Sequence, residues 1–239
     1  MDKGAKQLGR RMLAVYREIE PRMQQHAAEA GTTCREGCAS CCNLQVFVSL
    51  PEAVAMIEPL MDDKQAIADL VMRCEQQLQY QKLDRAAHFA QGIPCVFLTG
   101  VKTCGIYERR PVSCRNHYVA SPPENCAHDP EGAKEIQRLN TEKIDTFMLN
   151  ESLRVSKQRQ IPVLLAPIPV AILWAMRLLA EGEVAFVRAL ESPEDLGILD
   201  IRGWTQHAMR VVHKEEPQLV APNGEAVSAA QSEGAKEGA

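Results

Sequence analysis

Thr33-Cys34-Arg35-Glu36-Gly37-Cys38-Ala39-Ser40-Cys41-Cys42 places four thiols within nine residues. After a gap of about fifty residues, Cys95, Cys104, Cys114 and Cys126 supply four more, leaving Cys74 as the ninth cysteine of the chain. A hydrophobic core has no use for thiols packed so densely. What thiolate offers over other side chains is softness toward metal ions. The fold expected from this stretch is therefore one organised around a metal site.

Within the first cluster, Cys38-x2-Cys41 has the spacing that lets one turn aim two sulfurs at a single ion. Cys34 and Cys38 lie four apart, on one face of any helical turn. Cys41 and Cys42 are neighbours, and in extended chain their side chains diverge. One of them then serves a second metal, or is a reactive or spare thiol. In the second cluster the intervals are nine, ten and twelve residues, and Gly100 and Gly105 bracket Cys104 as if to present it on a hairpin-like loop. Eight thiols make two tetrahedral four-sulfur sites, or one iron–sulfur cluster or ion with surplus thiols beside it. Lys102, Arg109, Arg110 and Arg115 in the second cluster and Arg35 in the first suit compensation of thiolate charge. They equally suit an anionic substrate group, or a solvated surface.

Around this nucleus the chain reads as mainly α. Leu8, Met12, Val15, Ile19 and Met23 recur at helical spacing, predicting an amphipathic helix over residues 1–30 that Pro21 kinks or ends. Ser49-Leu50-Pro51-Glu52 has the form of a capping box, and a further helix is expected from Asp62-Asp63 toward Arg85. Asp129-Pro130-Glu131 predicts a helix start running to about Gln158. Pro169 opens another helix, and Ser192-Pro193-Glu194-Asp195 a short last one. Residues 31–219 are read as one helical metal-binding domain with its cysteine core at 34–126, followed by a tail over 220–239 whose composition predicts disorder. The uncharged run from Gln160 to Met176 is too short and too proline-broken for a membrane span, and is read as a buried loop leading into a core helix.

With 239 residues and 46% hydrophobic content the chain can bury a sizeable core. A net charge of −4 gives no basic field for nucleic acid and no attraction to an anionic membrane. The amino terminus lacks an apolar segment after its basic residues, so a cytoplasmic, reducing location is expected, where thiols bind metal rather than cross-link. Glycine-rich phosphate loops, His-Glu-x-x-His and Gly-x-Ser-x-Gly are absent from the sequence. Cys74 falls in an apolar helical pattern and is read as a small hydrophobe. His117, three residues past Cys114, is read as a ligand or a hydrogen-bonding neighbour of the metal. His26, His88, His128, His207 and His213 have no partner motif and are assigned to the surface.

The ordered motifs Cys34-x3-Cys38-x2-Cys41-Cys42, Pro94-Cys95-Val96-Phe97-Leu98 and Cys104-Gly105-Ile106-Tyr107-Glu108-Arg109-Arg110-Pro111-Val112-Ser113-Cys114-Arg115 resemble the YkgJ-type cysteine-cluster family, described as zinc- or iron-chelating. The resemblance implies that Cys34, Cys38, Cys41, Cys42, Cys95, Cys104 and Cys114 are metal-site cysteines, with Cys126 a more variable member. Asn116-His117-Tyr118-Val119 departs from the Tyr-Pro or Phe-Pro that often follows the family's cysteine–arginine pair. Three functions fit: thiolate binding of zinc or iron, with an iron–sulfur cluster as one form; an iron–sulfur or metal-dependent protein-modifying enzyme, which the resemblance allows since a flagellin-lysine methylase carries a related cluster; or, from the uncommitted helical surface, a structural-zinc module that binds a protein partner.

Overall fold

Leu8, Met12, Val15, Ile19 and Met23 form the buried face of helix α1 (Lys3–Glu29). This is seen in a computed structural model that describes residues 2–126, 134–161 and 164–191. The chain is mainly helical, as its periodicity predicts. α1 runs through Pro21 without ending. The proline faces solvent and forfeits one backbone hydrogen bond, while Ile19 and Met23 on either side stay buried and hold the helix to the core.

The centre of the core is α2 (Leu50–Ile57), whose residues are all buried. Its start is set by Glu52, whose carboxylate accepts the Ser49 amide at 2.9 Å and the Ser49 hydroxyl at 2.8 Å. α1 crosses α2 at Gly9, where a Cβ would meet the Ala55 backbone at 3.0 Å. That absence of a side chain lets the two helices approach closely. α7 (Ile168–Glu181) packs on the other side of α2, with Pro169 in its first turn as expected.

A two-stranded antiparallel sheet joins these central helices. β1 (Phe47–Ser49) pairs with β2 (Leu165–Pro167) in the register Phe47↔Pro167, Val48↔Ala166, Ser49↔Leu165. Each strand feeds directly into a core helix, so the short pairing fixes where α2 and α7 begin. The uncharged run before Met176 is thus a strand and a core helix. Among the described residues no helix is long and apolar enough to cross a membrane.

Peripheral elements complete the frame. α3 (Lys64–Gln77) is capped by Asp63, which accepts the amides of Gln65 and Ala66. It ends earlier than the periodicity predicts, and α4 (Arg85–Ala90) follows under its own cap, Asp84. α5 (Val112–Arg115) is a single turn. α6 (Glu142–Gln158) packs on α1 and α2, and α8 (Glu183–Glu191) packs on α7. The expected helix from Asp129 is corrected. Residues 134–141 are not helical: Val119 and Arg138 form an antiparallel bridge, and α6 starts only where Asn140 Oδ1 accepts the Glu142 amide. The pairing of this stretch with the chain beside Val119 takes the backbone groups a longer helix would have used. The Asp129-Pro130-Glu131 start, the Ser192 helix and the 220–239 tail lie outside the described residues.

Candidate metal centre

The first cysteine cluster is shaped by consecutive tight turns. Gly31 and Gly37 adopt φ values of +71° and +80°, a region that favours glycine, and bracket Cys34. The Cys38 amide then donates to the Arg35 carbonyl at 3.2 Å, and the Cys42 amide to the Ala39 carbonyl at 2.9 Å. These turns gather Cys34, Cys38, Cys41 and Cys42 on one short loop. Thr33 anchors its start, its amide donating to the Val119 carbonyl at 2.9 Å. The Cys34 sulfur sits 3.4 Å from the Val119 amide, which donates to it.

The second cluster is stitched to the first through backbone. The Cys95 amide donates to the Cys42 carbonyl at 2.6 Å. Cys104 lies on the hairpin-like loop its glycines predict: Leu98 and Cys104 form an antiparallel bridge, and the Gly105 amide donates to the Phe97 carbonyl at 2.9 Å. Cys114 is presented by α5, and Cys126 ends the short turn Pro123–Cys126.

Two hollows meet at these thiols. Cys38, Cys41, Cys42, Cys95, Cys104 and Cys114 all line a cavity of about 80 Å3 with otherwise largely apolar walls. Cys34, Cys38, Cys41 and Cys114 also line an open cleft of about 670 Å3 beside α1, walled by Arg35, Arg110 and Glu20 among others. The thiols Cys38, Cys41 and Cys114 therefore belong to the partition between a reachable cleft and an inner apolar space. Cys126 lines neither of the two. Cys74 is fully buried in the core between α3 and its neighbours, as a small hydrophobe would be.

Burial raises the cost of ionising these sulfurs. It pushes Cys95 up to about 11, and it raises Cys104, Cys114 and Cys126. Cys41 is held up first by its hydrogen bond with Cys42, then by burial and by the charge Cys42 would carry. Arg110 opposes the trend at Cys41, Cys104 and Cys114. Its guanidinium lies 3.6 Å over the Tyr107 ring and its Nε donates to the Tyr107 carbonyl, so the charge is fixed against the thiol wall.

The other arginines brace the backbone. Arg115 is buried, donates to the Arg110 and Glu108 carbonyls, pairs with Glu20, and stacks on Tyr16. Arg109 reaches the Ala55 carbonyl at 3.0 Å and Glu58 at 3.9 Å. Glu52 extends from its cap to accept the Val112 amide at 2.9 Å and the Tyr16 hydroxyl at 3.1 Å, tying α1, α2 and α5 together.

Among the described residues no three His, Cys, Asp or Glu side chains are drawn closely enough together to hold an ion. The donor set nevertheless fits zinc or iron in kind, being thiol-rich and sharing walls. Capture has to draw sulfurs inward and displace their protons, which couples binding to ordering of the loops.

His117 lines the open cleft, and its carbonyl lies 3.7 Å from the Cys34 sulfur. His26 is exposed at the end of α1, as expected, with its ring against the Asn140 carbonyl. The surface assignment of His88 is corrected: it is only 5% exposed and lines the inner cavity with Gln45 and Gln81. Sequence reasoning missed Gln45, Gln81 and the burial of His88, since single polar residues in helical or short extended segments carry no spacing signal. His128, His207 and His213 lie outside the described residues.

No curated protein matches the chain, and no solved structure matches it. One family does match, over a span that begins just before Cys34 and ends inside α6, enclosing all eight clustered cysteines. Residues 33–145 match the model of the CxxCxxCC family, whose description reads "putative zinc- or iron-chelating domain".

Proposed function

We propose that this protein holds zinc or iron through the thiolates of Cys34, Cys38, Cys41, Cys42, Cys95, Cys104, Cys114 and Cys126, within a helical domain spanning residues 31–219 that carries the helix of residues 1–30 on its core. The observation that carries the reading is the shared cavity wall, to which both clusters contribute. Cys95, Cys104 and Cys114 each feel the charge Cys41 would carry, and Cys41 in turn is coupled to Cys42. Arg110 offsets part of the negative charge four thiolates would leave on a divalent ion. A cytoplasmic location goes with this reading, because reduced thiols are its working form.

A second reading is favoured by the open cleft. A purely structural zinc site is closed, whereas thiols facing a cleft of about 670 Å3 leave a metal or iron–sulfur cluster reachable by a substrate. This is the protein-modifying enzyme, and it is preferred here over a structural-zinc interaction module. Elemental analysis and an absorption spectrum of full-length protein purified anaerobically under reducing conditions test both. Stoichiometric zinc in a colourless protein supports chelation. Iron with visible thiolate-to-iron absorption, bleached by dithionite, supports the reactive cluster. Protein with no bound metal overturns both.

A further inference from the structure

The inner cavity contains an unmet hydrogen-bonding demand that metal binding does not address. Gln45, Gln81 and His88 all line it, and are 3%, 1% and 5% exposed. Gln45 Oε1, Gln81 Oε1 and His88 Nδ1 are buried and have no hydrogen-bond partner within the chain. Orphaned buried polar atoms each cost about 1–3 kcal/mol, so three on residues that line one cavity call for an explanation.

The orientation of each group is fixed. Gln45 Nε2 donates to the Gln81 carbonyl at 3.1 Å, and Gln81 Nε2 donates to the Gln77 carbonyl at 2.8 Å. Turning either amide would set oxygen against oxygen, so both Oε1 atoms are acceptors. His88 bonds to the Asn43 backbone, and burial favours its neutral ring. Its bare Nδ1 is then an acceptor too. Apart from the six thiols, Gln77, Tyr107 and Arg110, the remaining wall is apolar, with Val46, Met56, Ile93 and Phe97 among its residues, and no acidic residue lines it.

One water molecule donates only two hydrogens and cannot serve three acceptors. The cavity's volume of about 80 Å3 holds roughly five to eight water-sized groups, and its apolar walls would hydrate poorly. An ammonium group would find no carboxylate, and would have to compete with Arg110 and the metal ion for thiolate charge. A carboxylate would meet three acceptors.

We propose that this cavity binds a small uncharged organic ligand of roughly five to eight non-hydrogen atoms, with an apolar body and a head of three N–H donors, such as a monoalkylurea. The head lies against Gln45, Gln81 and His88, and the body points toward the thiol wall. The site would deliver such a molecule beside the metal, yet its recognition chemistry does not depend on which ion is bound.

Propylurea, butylammonium and butyrate serve as probes, titrated against the full-length protein as purified, by ligand-observed NMR. Metal content is measured on the same sample, so failure of the metal reading shows separately. Saturable propylurea binding, at least tenfold tighter than for the two charged probes, is expected. Gln81→Leu and His88→Phe should each weaken it at least tenfold, with circular dichroism and metal content unchanged. The proposal is overturned if propylurea does not saturate, if butylammonium or butyrate binds equally well, or if neither variant that folds alters propylurea affinity. The probe comparison on the unaltered chain decides even if both variants fail to fold.

Discussion

Glu52 shows how much one buried carboxylate can organise. It receives the Ser49 amide and hydroxyl, the Tyr16 hydroxyl and the Val112 amide, two residues before Cys114. Removing it strands several buried donors at once. Glu52→Ala should lower unfolding free energy by about 3 kcal/mol or more in urea titrations, and should reduce metal content because α5 loses its anchor. Cys74 is the contrasting case. Cys74→Ser buries a hydroxyl without a partner and should cost about 1–3 kcal/mol, yet leave metal stoichiometry unchanged, whereas Cys95→Ser should reduce it. A drop in metal for Cys74→Ser would make it a ligand rather than core. The difference between these residues was only partly legible in the sequence. Ser49 and Glu52 announce a cap through their spacing, but nothing in the letters says that the same carboxylate also reaches Tyr16 and Val112. His88 likewise looked solitary, because Gln45 and Gln81, which share its cavity, come from segments about forty and seven residues away.

At the scale of elements, local patterns were readable and pairings between them were not. The stripe from Leu8 to Met23 yields α1, and Pro169 marks α7, since both signals lie within a few residues. β1 could not be read from Leu44-Gln45-Val46-Phe47-Val48 because its existence depends on pairing with Leu165–Pro167 over a hundred residues later. The overlong helix expected before α6 fails for the same reason: the chain at 134–141 spends its backbone groups on the stretch beside Val119. The α1–α2 crossing supplies a test of element packing. Gly9→Leu forces a side chain against the Ala55 backbone, which cannot rotate away. It should destabilise the fold by about 3 kcal/mol, read from the urea midpoint. Gly100→Ala, with open space around its Cβ position, should leave that midpoint nearly unchanged.

For the whole molecule, the titration of the cysteine wall makes the metal-free and metal-loaded proteins respond to pH with opposite sign. Unfolded thiols ionise near pH 8.5, but burial raises Cys104 and Cys114 and pushes Cys95 up to about 11. A folded value above the unfolded one means the fold favours the protonated thiol. That contribution to stability is complete below about pH 8.5 and is lost as pH climbs toward 11. His88 acts at the other end: burial lowers its value, so the fold favours neutral imidazole. Its contribution is present above about pH 6.5 and fades as pH falls through the folded value. Reduced protein stripped by a chelator should therefore show its highest urea midpoint between about pH 6.5 and 8.5, declining on both sides. Metal binding needs thiolates and releases protons, so apparent affinity should rise across the same alkaline range in which the stripped fold weakens. Urea midpoints of the loaded and stripped proteins should diverge steadily from pH 7 to pH 10 if the buried thiols are the ligands. Parallel curves would mean that the ion sits elsewhere and that the cysteine wall is only a lining.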